Sequence, residues 1–176
     1  MRPLRAALGA AALLLVLGPA PGRGLEPRFD HRDQDSLLVE LGRTFDTVSV
    51  AGGDSRSLYR TQLKVAYGFD FSGNGDEILL GVATRLVGED VLESVAWSVD
   101  ARYRGFFGTE DLKTFFDAGL WAPVSPKIGI GPLVGMGLIW DFERLGGIYA
   151  LLEVGTALGQ LRAFSMQLGV GAQVRF

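Results

Sequence analysis

The sequence predicts an all-β fold class: an eight-stranded antiparallel up-and-down transmembrane β-barrel, preceded by a cleaved signal peptide. Hydrophobic residues make up 48% of the 176 residues and the mean hydropathy is +0.23, yet beyond the N-terminus they alternate with polar residues. A period of two is the pattern of a strand with one apolar face. Eight such segments joined by short turns are typical of an up-and-down barrel. Glycine, at 25 residues, recurs on the more polar faces, where small residues let the interior of a narrow barrel fill.

The beginning of the chain has the composition of a secretory signal peptide. A basic start precedes an apolar run at residues 6–17, which is too short to span a membrane as a helix, and a small-residue segment follows. Cleavage after that segment gives three parts. We expect a signal peptide at residues 1–24, a polar periplasmic lead-in at 25–35 and an outer-membrane β-barrel at 36–176.

Charge and cysteine content exclude several classes of protein. Three of the 17 basic residues lie in the signal peptide, which leaves 14 against 20 acidic residues and a formal charge of −6. An acidic secreted chain is a poor candidate for binding nucleic acid. The sequence contains no cysteine, which excludes disulfides, thiolate chemistry and a lipoprotein anchor.

The first four predicted strands alternate apolar and more polar positions. Arg43 interrupts the apolar face of the first strand, so we expect it near the outer end of that strand, where its side chain can reach the headgroups. Residues 47–57 are predicted to form the longest connection. The apolar faces of residues 36–46, 58–71, 77–87 and 93–104 are, in turn, Leu37, Val39, Leu41 and Phe45; Tyr59, Thr61, Leu63, Val65, Tyr67, Phe69 and Phe71; Ile78, Leu80, Val82, Thr84 and Leu86; and Val95, Trp97, Val99, Ala101 and Tyr103.

The last four predicted strands are residues 112–122, 128–141, 148–158 and 163–176. The fifth and seventh are apolar on both sides, which leaves their parity open, and we assign the faces with Asp117 and Glu153 to the interior. Pro132 in the sixth predicts a bulge or a missing ladder bond, because proline has no N–H to donate. The apolar face of the eighth holds seven alternate residues, Phe164, Met166, Leu168, Val170, Ala172, Val174 and Phe176.

This alternating C-terminus with its terminal aromatic resembles the closing strand of a bacterial outer-membrane β-barrel. The pattern from residue 36 onward resembles the small eight-stranded, porin-like barrels of the OmpA/OmpX type, without the peptidoglycan-binding domain of the larger members. The resemblance implies residence in the outer membrane of a Gram-negative cell, with both barrel termini periplasmic. It implies contact with outer-membrane lipid and lipopolysaccharide, and folding by periplasmic chaperones and the barrel-assembly machinery. That machinery would recognise an assembly signal at Phe176, Val174 and Ala172.

A soluble barrel with the same alternation would turn its apolar face inward around a ligand, since a period of two does not orient a face. Three features favour apolar faces outward. Glycine lies on the polar faces, where a solvated surface would gain nothing from it. Seven large apolar residues on one strand would overfill a small interior. Aromatic residues lie near predicted strand ends, as membrane-interface belts require: Tyr59, Phe71, Tyr103, Trp140, Phe164 and Phe176.

The polar faces carry charges of both signs. Buried charges must be paired and hydrogen-bonded, so we expect them to form a charge network that fills the lumen. The predicted members are Glu40, Arg60, Lys64, Asp70, Arg85, Asp100, Arg102, Arg104, Asp117, Asp141, Glu153 and Arg175.

The leading functional hypothesis is a non-enzymatic outer-membrane barrel with a polar, largely plugged lumen and a structural or surface-interaction role. The first alternative is a narrow ion or small-solute channel through the same charges, and the second is a soluble periplasmic lipid-binding barrel. Catalysis is not expected, because the single histidine, His31, lies in the lead-in and no Ser–His pair follows from the spacing. We expect neither a cofactor nor a metal site, and the sequence does not indicate an oligomeric state.

Overall fold

A computed structural model describes residues 34–50, 54–71, 75–88, 94–108, 111–142 and 146–176. The predicted signal peptide, His31 and most of the lead-in therefore lie outside the described residues. The eight strands are β1 (Ser36–Val50), β2 (Arg56–Asp70), β3 (Glu77–Gly88), β4 (Trp97–Phe107), β5 (Leu112–Ser125), β6 (Gly129–Phe142), β7 (Gly146–Gly159) and β8 (Leu161–Arg175).

The strands form one closed barrel in which each strand pairs antiparallel with its sequence neighbours. Closure is made by β1 and β8, whose ladder runs from the Ser36–Arg175 pair to the Val50–Leu161 pair. We call the end with Ser36 and Arg175 the terminal end and the opposite end the far end. The predicted all-β, eight-stranded antiparallel up-and-down barrel is confirmed. Among the described residues, no helix is long and apolar enough to cross a membrane.

The apolar faces point outward and the polar faces inward. On β8, Leu168 is 66% exposed, whereas the neighbouring Gln167 is 3% exposed. The two ambiguous strands follow the assignment made from their acidic residues, since Asp117 and Glu153 are both buried. Large aliphatic side chains thus cover the outside of the barrel, which is the reverse of a soluble ligand-binding barrel.

The end of β1 and the start of β4 differ most from the sequence prediction, by four residues each. β1 continues to Val50, so the connection predicted at residues 47–57 shortens to 51–55, and the segment between β3 and β4, residues 89–96, becomes the longest. β4 begins at Trp97, with a register shift beside it. Val95, which was predicted to face outward, precedes the strand and is fully buried inside.

Pro132 interrupts the ladder between β6 and β7, as predicted. Ile130 pairs with Leu158 and Leu133 with Gly155, while Gly131 and Pro132 have no β7 partner. The register is the same on both sides of the gap, so the irregularity is a missing ladder contact and not a bulge. Pro132 is exposed on the outer face of β6 and remains paired with Leu120 of β5, and the interruption of the β7 ladder accommodates its missing N–H.

Candidate functional site

The interior of the barrel is divided into alternating apolar and charged layers. An apolar layer at the far end is packed from Val48, Leu58, Val95, Trp121, Leu133, Ala157, Leu161 and Ala163. A second apolar layer, nearer the terminal end, contains Leu38, Ala66, Leu79, Phe115, Ile139, Tyr149 and Leu151, with Phe106 against it. Between them lies the central charged layer, and a smaller charged cluster occupies the terminal end.

Glycines on the inner faces make room for the aromatic rings of the second apolar layer. Gly137 pairs with Phe115 and Gly171 with Tyr149 across neighbouring strands. A Cβ at either glycine would collide with the ring of its partner. The two rings meet edge to face with centroids 5.9 Å apart, a favourable aromatic geometry. Interior glycine therefore allows the lumen to be filled by larger neighbours.

Arg102 and Lys64 are the cationic centre of the charged layer. The Nζ of Lys64 lies 3.0 Å from Glu153 Oε1 and 3.6 Å from Asp100 Oδ2. The Nη1 of Arg102 lies 2.5 Å from Glu153 Oε2 and 3.3 Å from Asp117 Oδ2. Both cations are buried, so each depends on more than one carboxylate for compensation.

Arg104 and Asp117 form a bidentate pair beside this centre. Arg104 donates from Nε to Oδ1 at 2.7 Å and from Nη2 to Oδ2 at 2.8 Å. The two residues face each other directly across the β4–β5 ladder. The Arg104 guanidinium also lies 3.9 Å from the ring centroid of Phe115, so a cation–π contact joins the charged layer to the apolar layer beneath it.

A chain of hydrogen bonds extends the network toward the far apolar layer. Arg60 Nε donates to Asp46 Oδ2 at 2.5 Å, and Arg60 also donates to Gln62. Gln62 donates to Gln167, which donates to Glu40. The amides thus link the Arg60–Asp46 pair to the carboxylates of the central layer.

The terminal cluster is built on Asp141. Its two carboxylate oxygens accept from Lys113 Nζ at 2.9 Å and from Arg175 Nη1 at 2.7 Å. Gln173 donates to Glu77 Oε1 at 2.5 Å in the same region. All five side chains are buried, so the charges beside the chain terminus belong to the interior and not to the surface.

Ten of the twelve predicted lumen residues are buried inside the barrel. The other two, Asp70 and Arg85, are half-buried near opposite ends, and Arg85 donates to Ser94. Sequence reasoning missed three buried charges, Asp46, Glu77 and Lys113. Each lies at the first or last positions of a predicted strand. In the sequence, each of the three alternates with the outward-facing positions of its strand, and this alternation could have identified it as inward-facing.

A cavity of about 10 Å³ lies in the central layer between Arg60, Lys64, Trp121 and Glu153, and a volume of this size holds about one water molecule. Among the residues that the structure describes, no three His, Cys, Asp or Glu side chains are placed to hold a metal ion. The buried charges of the central layer each lie within 4 Å of an opposite charge, as in the pairs Lys64–Glu153, Arg104–Asp117 and Arg60–Asp46.

The predicted assembly residues lie on the outside of β8 at the terminal end. Val174 is 56% exposed and Phe176 is 66% exposed. The Phe176 ring lies 6.5 Å from that of Tyr67 on β2, so the last residue is part of an outward-facing aromatic cluster. Recognition of these residues during assembly stays a prediction.

The sequence matches no protein-family model and no curated protein. Solved structures do resemble the fold. Neisserial surface protein A superimposes with a TM-score of 0.59 at 15% identity, over 80% of this chain and 97% of that one. The outer-membrane protein OprG from Pseudomonas aeruginosa superimposes with a TM-score of 0.50 at 9% identity, over 83% and 97%. At these identities the likeness establishes the fold, which is that of the small eight-stranded outer-membrane barrels.

Proposed function

We propose that the protein is a non-enzymatic barrel of the bacterial outer membrane, with a largely plugged lumen and a structural or surface-interaction role. The filled interior carries this proposal. Paired charges occupy the central layer, apolar side chains border it on both sides, and the cavity among them is about 10 Å³. A lumen of this kind stabilises the barrel and offers no binding space for a substrate.

Residence in a membrane is supported by the outer surface. Apolar side chains such as Leu80, Leu138 and Leu168 are more than half exposed, and an apolar belt of this extent is unfavourable in water. The fold likeness supports the bacterial outer membrane in particular. An even number of strands brings both termini to one side, and the resemblance to outer-membrane barrels implies that this side, the terminal end, is periplasmic and that the far end is at the cell surface.

The lengths of the far-end connections favour the structural role over a surface-interaction role. They comprise residues 51–55, 89–96 and 126–128 and the single residue Gln160. Outer-membrane barrels in general have longer extracellular loops than periplasmic turns. A standard protein interface needs about 800 Å² from each partner, and connections of this length provide little area of their own.

The first experiment compares boiled and unboiled protein from the outer-membrane fraction on a denaturing gel. A closed barrel resists detergent until it is boiled, so we expect a mobility shift and no protein in the soluble fraction. Vesicles that contain the protein should leave lipids unmodified and retain a trapped solute. A soluble protein without a shift would contradict membrane residence, and lipid hydrolysis or acyl transfer would contradict a non-enzymatic role.

A narrow channel is the second candidate, and the small cavity beside Lys64 and Glu153 is the observation that favours it. Planar-bilayer recording distinguishes the two. Steady conductance in the wild type that increases in Arg102→Ala, but not in the lipid-facing control Val99→Ala, would support a channel. Silence in all three proteins would support the plug.

A further inference from the structure

Arg43 is a cation on the lipid-facing side of the barrel. It is exposed and shares its face of β1 with Leu41 and Phe45. In the ladders it lies opposite Thr61 of β2 and Leu168 of β8. The sequence placed it near the outer end of its strand, but β1 runs seven residues beyond it to Val50. Arg43 is therefore in the middle of a strand, where a charge facing lipid is costly.

The depth of Arg43 is set by an aromatic pair on the far-end side. Phe45 lies opposite Tyr59, with ring centroids 5.1 Å apart, and such pairs mark the membrane interface. Arg43 is two residues closer to the terminal end, which is about 7 Å along a strand and roughly 5 Å along the normal of a tilted barrel. Its backbone is thus below the headgroups, within reach of its own side chain.

The side chain of Arg43 is directed back toward that interface. Its Nη1 donates to Thr61 Oγ1 at 3.1 Å, and its guanidinium lies 5.7 Å from the ring centroid of Tyr59. A guanidinium has five N–H donors, and these contacts satisfy one of them. Acyl chains accept no hydrogen bonds.

The surrounding lipid-facing side chains provide no counterion. On either side of the Arg43–Thr61 pair, the outward neighbours are Leu41 with Leu63 and Phe45 with Tyr59. Arg43 makes no ion pair with a carboxylate of the described residues. Since the described residues supply no counterion, an anion of the membrane would compensate it.

We propose that Arg43, with Tyr59 beside it, binds the phosphate of a lipid in the leaflet at the far end of the barrel. The planar fork of arginine matches a phosphate bidentately, and the exposed Tyr59 ring lies beside the same guanidinium. Thr61 is a positioning residue that orients the guanidinium. The inference rests on the proposed function, under which that leaflet is the outer one and its phosphorylated lipid is lipopolysaccharide.

The experiment uses the folded protein in maltoside micelles and follows the midpoint of the heat-induced mobility shift as purified lipopolysaccharide is added. Wild type should gain thermal resistance with rising lipopolysaccharide. Arg43→Leu should bind at least about tenfold more weakly, the equivalent of one charge-assisted hydrogen bond to phosphate. The matched control is Arg162→Leu, an exposed arginine on the neighbouring strand β8 beyond the interface, which should bind within about twofold of wild type.

Lipid source and chemistry are separated by two further additions. Enzymatically dephosphorylated lipopolysaccharide should protect wild type no better than intact lipopolysaccharide protects Arg43→Leu, and inorganic phosphate alone should give no protection. Equal binding by wild type and Arg43→Leu, equal protection by the dephosphorylated lipid, or full protection by inorganic phosphate would each overturn the proposal.

Failure of this inference is distinct from failure of the proposed function. Arg43→Leu should fold in micelles without added lipid, since the change removes a charge from the lipid face. If every variant shows the mobility shift but none differs in lipopolysaccharide binding, the phosphate site is wrong and the membrane barrel stands. If the wild type shows no shift and needs no detergent, the membrane barrel itself is wrong.

Discussion

Replacing Asp117 by alanine should test whether the lumen is held together by compensated charges. Asp117 is fully buried and accepts two hydrogen bonds from Arg104, while Arg102 lies 3.3 Å away. The substitution leaves Arg104 with no counterion at this distance and removes one from Arg102. Breaking a buried ion pair in this way costs about 3–5 kcal/mol, so Asp117→Ala should lower the free energy of unfolding by about that amount.

The assay is urea unfolding of the barrel in vesicles, with the folded fraction measured by the mobility of unboiled samples. A double-mutant cycle isolates the pair: Arg104→Met alone, Asp117→Ala alone and both together. The double variant removes both charges and should be less destabilised than the sum of the single variants by about 1.5–3 kcal/mol. Asp54→Ala, an exposed acid at the far end, is the control and should leave the unfolding midpoint unchanged.

Two results would refute this reasoning. An Asp117→Ala variant within about 0.5 kcal/mol of wild type would mean that water reaches the pair and screens it. Additive single variants would mean that the two hydrogen bonds contribute nothing specific. Either result would weaken the plug and favour a hydrated path through the central layer.

Two further predictions concern the fold and its assembly. Phe176→Ala should lower the folded fraction recovered from the outer membrane, whereas the control Phe71→Ala should not. The two aromatic side chains are equally exposed, at 66% and 67%, but only Phe176 belongs to the proposed assembly signal. Equal folded fractions for the two variants would remove that role. Gly171→Val should lower the free energy of unfolding, measured in urea, by about 1–3 kcal/mol, because the new side chain collides with the Tyr149 ring. The lipid-facing control Ala150→Val should leave it unchanged. Equal effects of the two substitutions would contradict the conclusion that interior glycines make room for the rings.

The parity of every strand could be predicted from the sequence, because a membrane barrel separates its two faces by polarity. Even the ambiguous strands β5 and β7 were resolved by one acid each, Asp117 and Glu153. A carboxylate on the lipid face is costly, so a single charged residue orients all the residues that alternate with it. This is why the long run of small and apolar residues in β7 could be assigned at all.

Strand ends could not be predicted as well, because apolar alternation reports the position of the lipid and not the extent of the ladder. The sequence predicts that β1 ends at Asp46, because Thr47 and Ser49 replace apolar residues after it. The ladder nevertheless continues to Val50. At β4 the opposite error occurred. Val95 continued the alternation in sequence, but the strand begins at Trp97 and a register shift lies beside it.

The partners of the charged residues were also beyond the sequence. Many of their contacts cross the lumen: Lys64 and Glu153 are 89 residues apart and lie on the non-adjacent strands β2 and β7. Inward parity places both in the interior, but their height along the axis depends on the stagger of all eight strands. Pairs across one ladder, such as Arg104 and Asp117, need only a single register to be known.

The order of the layers distinguishes a plug from a channel more sharply than the charges do. An ion that crossed this lumen would have to displace a pair such as Lys64–Glu153 in the central layer. It would also have to pass the apolar side chains around Trp121 and around Phe115, which cannot replace its hydration shell. Hydrophobic constrictions of that kind exclude water and ions. Removing the charge of Arg102 therefore leaves both apolar layers in place. For this reason, conductance through the single variant Arg102→Ala would be evidence against the plug.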